Sequence, residues 1–398
     1  MKRVAIIPPG KLPVPDLLGG AIEGLTTYLL DENEKTPQCE FEVFNQGNCA
    51  ERLQTIQMNH CRIHSDTPGF LDEAYDYFCL GMRKILRYSI PYQSSYLRRT
   101  IRKIKKGNFD LVLVEGNPHY VWRIARETGL DVLLHIHTDH VLDEMTRGYK
   151  KIIHSCKRII CVSEYIKRRL EAVDSMDRSK LSVCLNCTDQ SKFNMENRAV
   201  YRTAMRKQFG FADDEVVYIF AGRVVPMKGV GELVEAFKAC EVEKKRLLLV
   251  GGSNFGGSPD TAFIRQLRQE AEASHGLIRM TGYVDKSDLP KYYAMADVYV
   301  SPSKYDEAAP LANIEAMSMG LPCIVSNKGG VSEYTNDGCV VIDVDTNAEQ
   351  NIKKAMETIG NDAALRTEMS SAGATAVKKW CTERYFKDML SLILGNER

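Results

Sequence analysis

Two carboxylates eight positions apart, Glu307 and Glu315, bracket the stretch EAAPLANIE, which follows the apolar run DVYVSPS. Pro310 suits the first turn of a helix that opens near Ala309 and closes before Gly320 and Pro322. At such a start the amides of Ala308, Ala309 and Leu311 point outward, which favours a phosphate. Glu315 would lie roughly 10 Å along the axis at ~1.5 Å per residue, where a carboxylate can accept both hydrogen bonds of a ribose diol. Taken alone, the segment reads equally well as a surface helix with a capping glutamate.

A second constellation is YIFAGRVVPMKGVGELVEAF, residues 218–237. Gly222 lets the chain turn after a strand, and Arg223 and Lys228 share one loop before a helix beginning near Gly231. Two cations five apart on such a loop can neutralise a diphosphate, the arginine through two parallel hydrogen bonds and the lysine as a point charge. Either cation alone would read as a solvated loop charge.

Metal chemistry finds less support. His135, His137 and His140 lack the spacing of a zinc-binding helix, and their segment, LLHIHTDH, reads as a strand and loop whose alternation puts His135 and His137 on one face. Cys184 and Cys187 form a CxxC with no second pair at zinc spacing and read as a strand end. No metal and no cofactor are expected.

Elements must hold these residues in place. RVAIIP, DLVLVEG, DVLLHIHT, RIICVSE and LSVCLN read as strands of a first half, and VVYIFAG, RLLLVGG, LIRMTGYV, DVYVSPS, PCIVSN and CVVIDV as strands of a second. Runs apolar on both faces and separated by amphipathic helices imply α/β architecture with buried parallel sheets. A polar stretch between Cys187 and Val200 marks a linker, giving domains over 1–190 and 191–375. A last helix over 376–398, apolar at Trp380, Tyr385, Met389, Leu390 and Ile393, is expected to cross back onto the first domain. In doubly wound sheets ligands bind beyond the carboxyl ends of the strands, so two such domains would face each other across a cleft.

Composition agrees with a two-domain globular chain: 398 residues, 44% hydrophobic and 26% charged. A formal charge of +1 gives no global attraction to nucleic acid. The twelve cysteines, mostly within apolar runs, read as reduced thiols of a cytoplasmic protein. The start MKRVAIIPPG has too short an apolar run for a signal peptide, and no stretch reaches the ~18 apolar residues of a membrane span.

The pair Glu307 and Glu315 as E-x7-E, the AGRVVPMKG loop, VSEYIKRRL, LNCTDQSKF and GYVDKSDLPKYYAMADVYVSPS, in that family's order over nearly the whole chain, resemble retaining GT-B glycosyltransferases of family 4. KLPVPDLLGGAIE and VGGSNFGGSP resemble members that build spore-coat, capsular or other cell-surface polysaccharides. The resemblance implies a GT-B fold of two Rossmann-like domains and transfer of a sugar from a nucleotide sugar, a UDP-sugar foremost, to a glycan or lipid-linked acceptor. It implies that Arg223 and Lys228 hold the donor diphosphate, Glu315 the ribose, and Glu307 the donor sugar. Gly19 and Gly20 match a loop approaching phosphate and acceptor through backbone amides, Gly282, Tyr283 and Val284 a turn beside the base, and His137 a histidine near the reacting carbon. EAAPLANIE lacks the family's usual glycines after the first glutamate, and VGGSNFGG replaces a shorter glycine loop, so the donor sugar is not readable.

On this reading Arg223, Lys228 and the helix start near Ala309 stabilise the departing diphosphate in place of a divalent metal. No covalent nucleophile is evident, and the family favours attack on the leaving group's own face, with Glu307 orienting the sugar. Between Asp76 and Asp110 no acidic residue occurs, and Arg83, Lys84, Arg87, Arg98, Arg99, Arg102, Lys103, Lys105 and Lys106 alternate with Tyr88, Tyr92, Tyr96, Leu97 and Ile101. Such a segment, 83–106, can sit on anionic headgroups at the inner face of the cell membrane, or pack its apolar side on the first domain. The competing functions are a GT-B-fold epimerase or hydrolase and a non-catalytic partner subunit. A dehydrogenase is a weaker match, since GGAIEG is not G-x-G-x-x-G.

Overall fold

The computed structural model describes residues 1–10, 12–46, 52–53, 55–66, 69–85, 94–138, 149–173, 176–253 and 259–395. Two compact units emerge: Met1–Asn186 with Thr382–Arg398, and Cys187–Cys381.

In the first unit β1 (Lys2–Ile7) leads to α1 (Ala21–Lys35), followed by β2 (Cys39–Gln46), β3 (Cys61–Asp66), α2 (Phe70–Ile85) and α3 (Ser95–Lys106). The chain continues through β4 (Leu111–Glu115), α4 (Val121–Thr128), β5 (Asp131–Ile136), α5 (Tyr149–Ser155), β6 (Arg158–Cys161), α6 (Glu164–Glu171) and β7 (Leu181–Val183). All seven strands are parallel, in the order β3-β2-β1-β4-β5-β6-β7. The order reverses between β1 and β4, which places the crevice beyond their carboxyl ends. Central strands are apolar on both faces because helices cover both: Val4 through Ile7 and Val112 through Val114 are fully buried.

β2 and β3 add two strands to those expected in the first half. β2 alternates, with Glu40 and Glu42 between Cys39, Phe41 and Val43, and those glutamates meet His60 and His64. A search for continuous apolar runs misses strands of that pattern.

The second unit opens with α7 (Met195–Phe209), then β8 (Val216–Ala221), α8 (Val230–Ala239), β9 (Lys245–Val250), α9 (Ala262–Ala273), β10 (Ile278–Gly282) and α10 (Leu289–Ala294). It closes with β11 (Val298–Ser301), α11 (Leu311–Ser318), β12 (Cys323–Ser326), β13 (Cys339–Ile342), α12 (Ala348–Gly360) and α13 (Ala363–Ala376). Its six strands are parallel in the order β10-β9-β8-β11-β12-β13, with the reversal between β8 and β11. All six were expected.

The stretch read as a linker is ordered in the second unit. Phe193 is 1% exposed, and Asn194 caps α7, its side chain accepting from the Asn197 amide. From α7, Arg202 and Arg206 reach Asp297 before β11, at 2.5 Å each, and the Val217 amide of β8 donates to the same carboxylate. This network fixes α7 against the two strands that flank the crevice.

The segment expected as one helix from 376 is broken. Val377–Trp380 forms a 3-10 turn, and Cys381 is extended because it bridges to Thr188, whose amide donates to Trp380 O. Trp380 therefore packs in the second unit, against Tyr334. α14 (Thr382–Leu394) belongs to the first unit, where it packs on α1: Thr382 donates to Glu32 at 2.6 Å, and Lys2 donates to the carbonyl of Leu394 at 3.0 Å.

Candidate functional site

At the reversal point of the second sheet, the loop after β8 carries Arg223 and Lys228, and the loop after β11 carries Glu307. Both loops are tied by their backbones. The Lys304 amide donates to Met227 O at 2.9 Å, and Gly229, at φ 70°, lies so close to Pro302 that a Cβ there would come within 2.0 Å of its carbonyl oxygen. Only glycine fits such an approach. Gly330, after β12, donates its amide to Glu307 O at 2.6 Å, so the peptide of Glu307 is held from a third loop.

Arg223 is exposed and makes no ion pair among the described residues. Lys228 behaves differently, because its ammonium pairs directly with the Glu307 carboxylate. The sequence reading gave these two residues separate ligands, whereas the structure shows one unit in which a diphosphate would compete with Glu307 for the lysine. Gly222 sits beside them, its amide donating to Val250 O at 3.0 Å.

The helix of the E-x7-E segment starts later than expected. α11 begins at Leu311, and Pro310 is its cap, with φ −80° and ψ 100°, which leaves Ala308 and Ala309 in the preceding loop. An extended backbone at Pro310 cannot belong to a first turn. Glu315 is then only four residues into the helix, about 6 Å along the axis. No side chain caps the first turn of α11.

Glu315 is 6% exposed, and burial raises its carboxyl above the ordinary range, opposed by the charge of Lys286 and by a hydrogen bond from Tyr293. That bond, Tyr293 OH to Oε2, is 3.2 Å long, and Tyr293 is fully buried. Neither Tyr293 nor Lys286 was singled out from sequence. Lys286 belongs to the turn that begins at Gly282, Tyr283 and Val284, where Gly282 O accepts from Gly251 N at 3.0 Å and Tyr283 OH meets Asp285 at 3.3 Å.

In the first unit, the loop after β1 ends at Gly19 and Gly20, which open α1. Glu23 folds back over this end, its carboxylate filling the place a Cβ at Gly20 would take. A carboxylate there works against the phosphate approach expected of these amides, which favour one anion at a time.

His137 lies just past β5, and its Nε2 is 2.7 Å from Oε2 of Glu115, the last residue of β4. His135 Nδ1 lies 3.0 Å from the same oxygen, and the two rings are 4.0 Å apart, on one face as alternation requires. Burial, foremost, and the charge of His135 bring His137 down to about 4, against the pull of Glu115. For Glu115 burial raises the carboxyl, but both histidines outweigh it and hold it at about 2. Glu115, His135 and His137 are also the one trio of metal-ligand type found among the described residues, with donor atoms within 4.8 Å. The sequence had marked DLVLVEG as a strand without marking Glu115. Register explains the miss: Glu115 meets His135 only because β4 and β5 pair side by side. His140 lies outside the described residues, and Cys184 and Cys187 are buried free thiols.

In the basic segment, residues 86–93 and the side chains of Arg83 and Lys84 lie outside the described residues. Tyr96, Leu97 and Ile101 of α3 are buried in the first unit, Arg98 stacks 4.7 Å from the Tyr75 ring, and Arg99 pairs with Asp72. Arg102, Lys105 and Lys106 are exposed. No described helix is long and apolar enough to cross a membrane.

Two doubly wound parallel sheets, with charged side chains at the carboxyl edge of the second, define a GT-B glycosyltransferase. A family profile described as Glycosyl transferases group 1 matches residues 201–376, and one described as Glycosyltransferase Family 4 matches residues 63–192. Between them the two profiles cover most of the chain, which is a glycosyltransferase of the GT4, GT-B type. Spore coat protein SA of Bacillus subtilis is 25% identical over 346 residues, 84% of each chain. A lipopolysaccharide 1,2-N-acetylglucosaminetransferase of Salmonella typhimurium is 26% identical over 254 residues, 63% of this chain and 62% of the other. Among solved structures, the Anabaena protein HepE in complex with UDP aligns with TM-score 0.75 at 15% identity, over 99% of this chain and 100% of the other.

Proposed function

We propose that this glycosyltransferase moves a sugar from a nucleoside diphosphate sugar, a UDP-sugar foremost, to a glycan or lipid-linked glycan of a surface polysaccharide, with retention and without a divalent metal. The observation that carries the reading is the cluster of Arg223, Lys228 and Glu307 at the reversal point of the second sheet, with the uncapped start of α11 and buried Glu315 following in the same segment. Negative charge grows on the diphosphate as the sugar leaves, and preorganised cations and helix amides stabilise it. Arg223 is free to take the diphosphate at once. Lys228 is released to it from Glu307, whose carboxylate then orients the sugar hydroxyls, and Glu315 takes the ribose diol. The HepE complex with UDP supports the choice of base, and the relatives named for spore coat and lipopolysaccharide support the choice of product.

A peripheral contact with anionic lipid at the cytoplasmic face belongs to the same proposal. Its support is the basic face of α3 together with α2, where Phe70 is 84%, Leu71 82%, Tyr77 77% and Phe78 66% exposed. Aromatic and basic residues together suit a headgroup layer.

The experiment is turnover of UDP-, GDP- and ADP-sugars in EDTA, with and without a lipid extract, following both nucleotide release and the anomeric configuration of the product. Retained product from one donor, lost in Glu307→Ala, is expected. Release of free sugar regardless of extract would favour the hydrolase, and product only after adding a divalent ion would overturn the metal-free mechanism.

A further inference from the structure

Resting on the proposed transfer of a sugar, we propose that Glu115 is a positioning residue that fixes the His137 ring with Nε2–H toward the carboxylate, so that bare Nδ1 receives a substrate hydroxyl.

Geometry and proton counting carry this. The carboxylate of Glu115 is 1% exposed and 2.7 Å from Nε2. An ionised carboxylate only accepts hydrogen bonds, so Nε2 must carry the proton. Burial keeps the ring neutral at physiological pH, and a neutral imidazole has one proton. Nδ1 is therefore a lone-pair acceptor. It has no protein partner among the described residues, and the side chain keeps 6% exposure. A bare ring nitrogen cannot donate to a phosphate or a carbonyl oxygen, so the group it recognises must itself donate, and the donors a sugar carries in number are hydroxyls. The ligand class that follows is a sugar hydroxyl, of donor or acceptor.

Two imidazoles and a carboxylate are also a donor set for zinc. Here, however, both histidine nitrogens lie at hydrogen-bonding distance from Oε2 itself, 2.7 and 3.0 Å, closer than the roughly 3.3 Å that separates ligand atoms bound tetrahedrally to zinc at about 2.0 Å. Among the described residues the charge at contact distance is that of His135, which lies on the same carboxylate oxygen and opposes a proton on His137. The remaining titratable neighbour is Cys184, whose thiol burial, foremost, and then Asp388 and Glu115 push well up and keep neutral.

The test begins with the intact wild-type chain, labelled with 15N in its histidines and observed through long-range proton–nitrogen correlation, which needs no substrate. His137 is expected as the Nε2–H form between pH 5 and 8. The Nδ1–H form, a charged ring at pH 7, or stoichiometric bound zinc would each overturn the proposal. Glu115→Gln is then expected to lose the tautomer preference and to lower kcat about tenfold, the scale of one hydrogen bond, while UDP affinity stays within twofold. A rise in KM for the donor alone assigns the hydroxyl to the donor sugar, and a rise for the acceptor alone assigns it to the acceptor. Full kcat with the preference gone would overturn the positioning role. Failure of wild-type turnover with every donor would defeat the transferase reading beneath it, and the tautomer measurement keeps that failure distinct.

Discussion

The carboxyl edges of the two sheets carry charged residues at matching places and treat them in opposite ways. In the second unit Arg223 is exposed and Lys228 has one exchangeable partner, Glu307. In the first unit Glu115 and His135 are buried, His137 packs on them with 6% of its side chain exposed, and the protonation of Glu115 and His137 is displaced from the ordinary range. An edge with unsaturated charge suits a ligand that must arrive, be stabilised as it departs, and leave. A sealed edge suits one side chain held in one state. The same contrast recurs inside the second unit, where Arg206 is 1% exposed, pairs with Asp297 and donates to the carbonyls of Met295, Ala212 and Glu215. On the proposed mechanism, what is left for an arginine to donate to separates the structural ones from the ligand-binding one.

That sorting is open to attack, beginning with its largest effect. Arg223→Ala should lower kcat/KM by about 100- to 1000-fold, the cost of one preorganised charge at a developing anion, with an unchanged thermal midpoint. A fall of less than fivefold would make Arg223 an ordinary surface residue. Arg206→Ala should do the reverse: it takes from Asp297 one of its two arginines and leaves the carbonyls of Met295, Ala212 and Glu215 without that donor, for a loss of about 3 kcal/mol in urea unfolding, with UDP still bound by the protein that remains folded.

The sealed edge has a pH signature. His137 stays neutral down to about 4 in the folded chain, whereas an unfolded histidine takes up its proton near 6.5. Protons therefore favour the unfolded state as pH falls through that window, and stability present above pH 6.5 is lost toward pH 4, by up to about 3 kcal/mol. Glu115, held at about 2, adds a further loss below the ordinary 4.5. His137→Gln should flatten the fall of the unfolding midpoint between pH 6.5 and 4.5, and a parallel curve in wild type and variant would contradict the assignment.

The smallest effect concerns Glu315. Tyr293→Phe removes the hydrogen bond that favours the ionised carboxylate, so a carboxyl already raised by burial should rise further. The acid-side loss of UDP affinity should then move to higher pH, with a weakening of about fivefold at pH 7, one hydrogen bond's worth. An unshifted acid limb in a titration by calorimetry would detach Tyr293 from nucleotide binding.

Local signals made the second unit readable. All six of its strands are short apolar runs, and Arg223, Lys228, Glu307 and Glu315 stand within two contiguous loop-to-helix segments. Features set by neighbours distant in sequence were hidden. The pairing of Lys228 with Glu307 spans 79 positions, Tyr293 meets Glu315 across 22, and Glu115 reaches His137 across a strand pairing. The late start of α11 was missed for a local reason, because Pro310 fits a cap as readily as a first turn. Alternating charge concealed β2, and the break at Cys381 depends on Thr188, from the other end of the second unit.

On the proposed mechanism the charged edge of the second unit is a metal-free diphosphate site. Calorimetric titration of UDP into the intact chain in EDTA, beside Arg223→Ala, tests it most directly. Saturable one-to-one binding without added metal is expected, weakened at least tenfold in the variant. Binding that requires magnesium or manganese, or is equal in the two proteins, would contradict it.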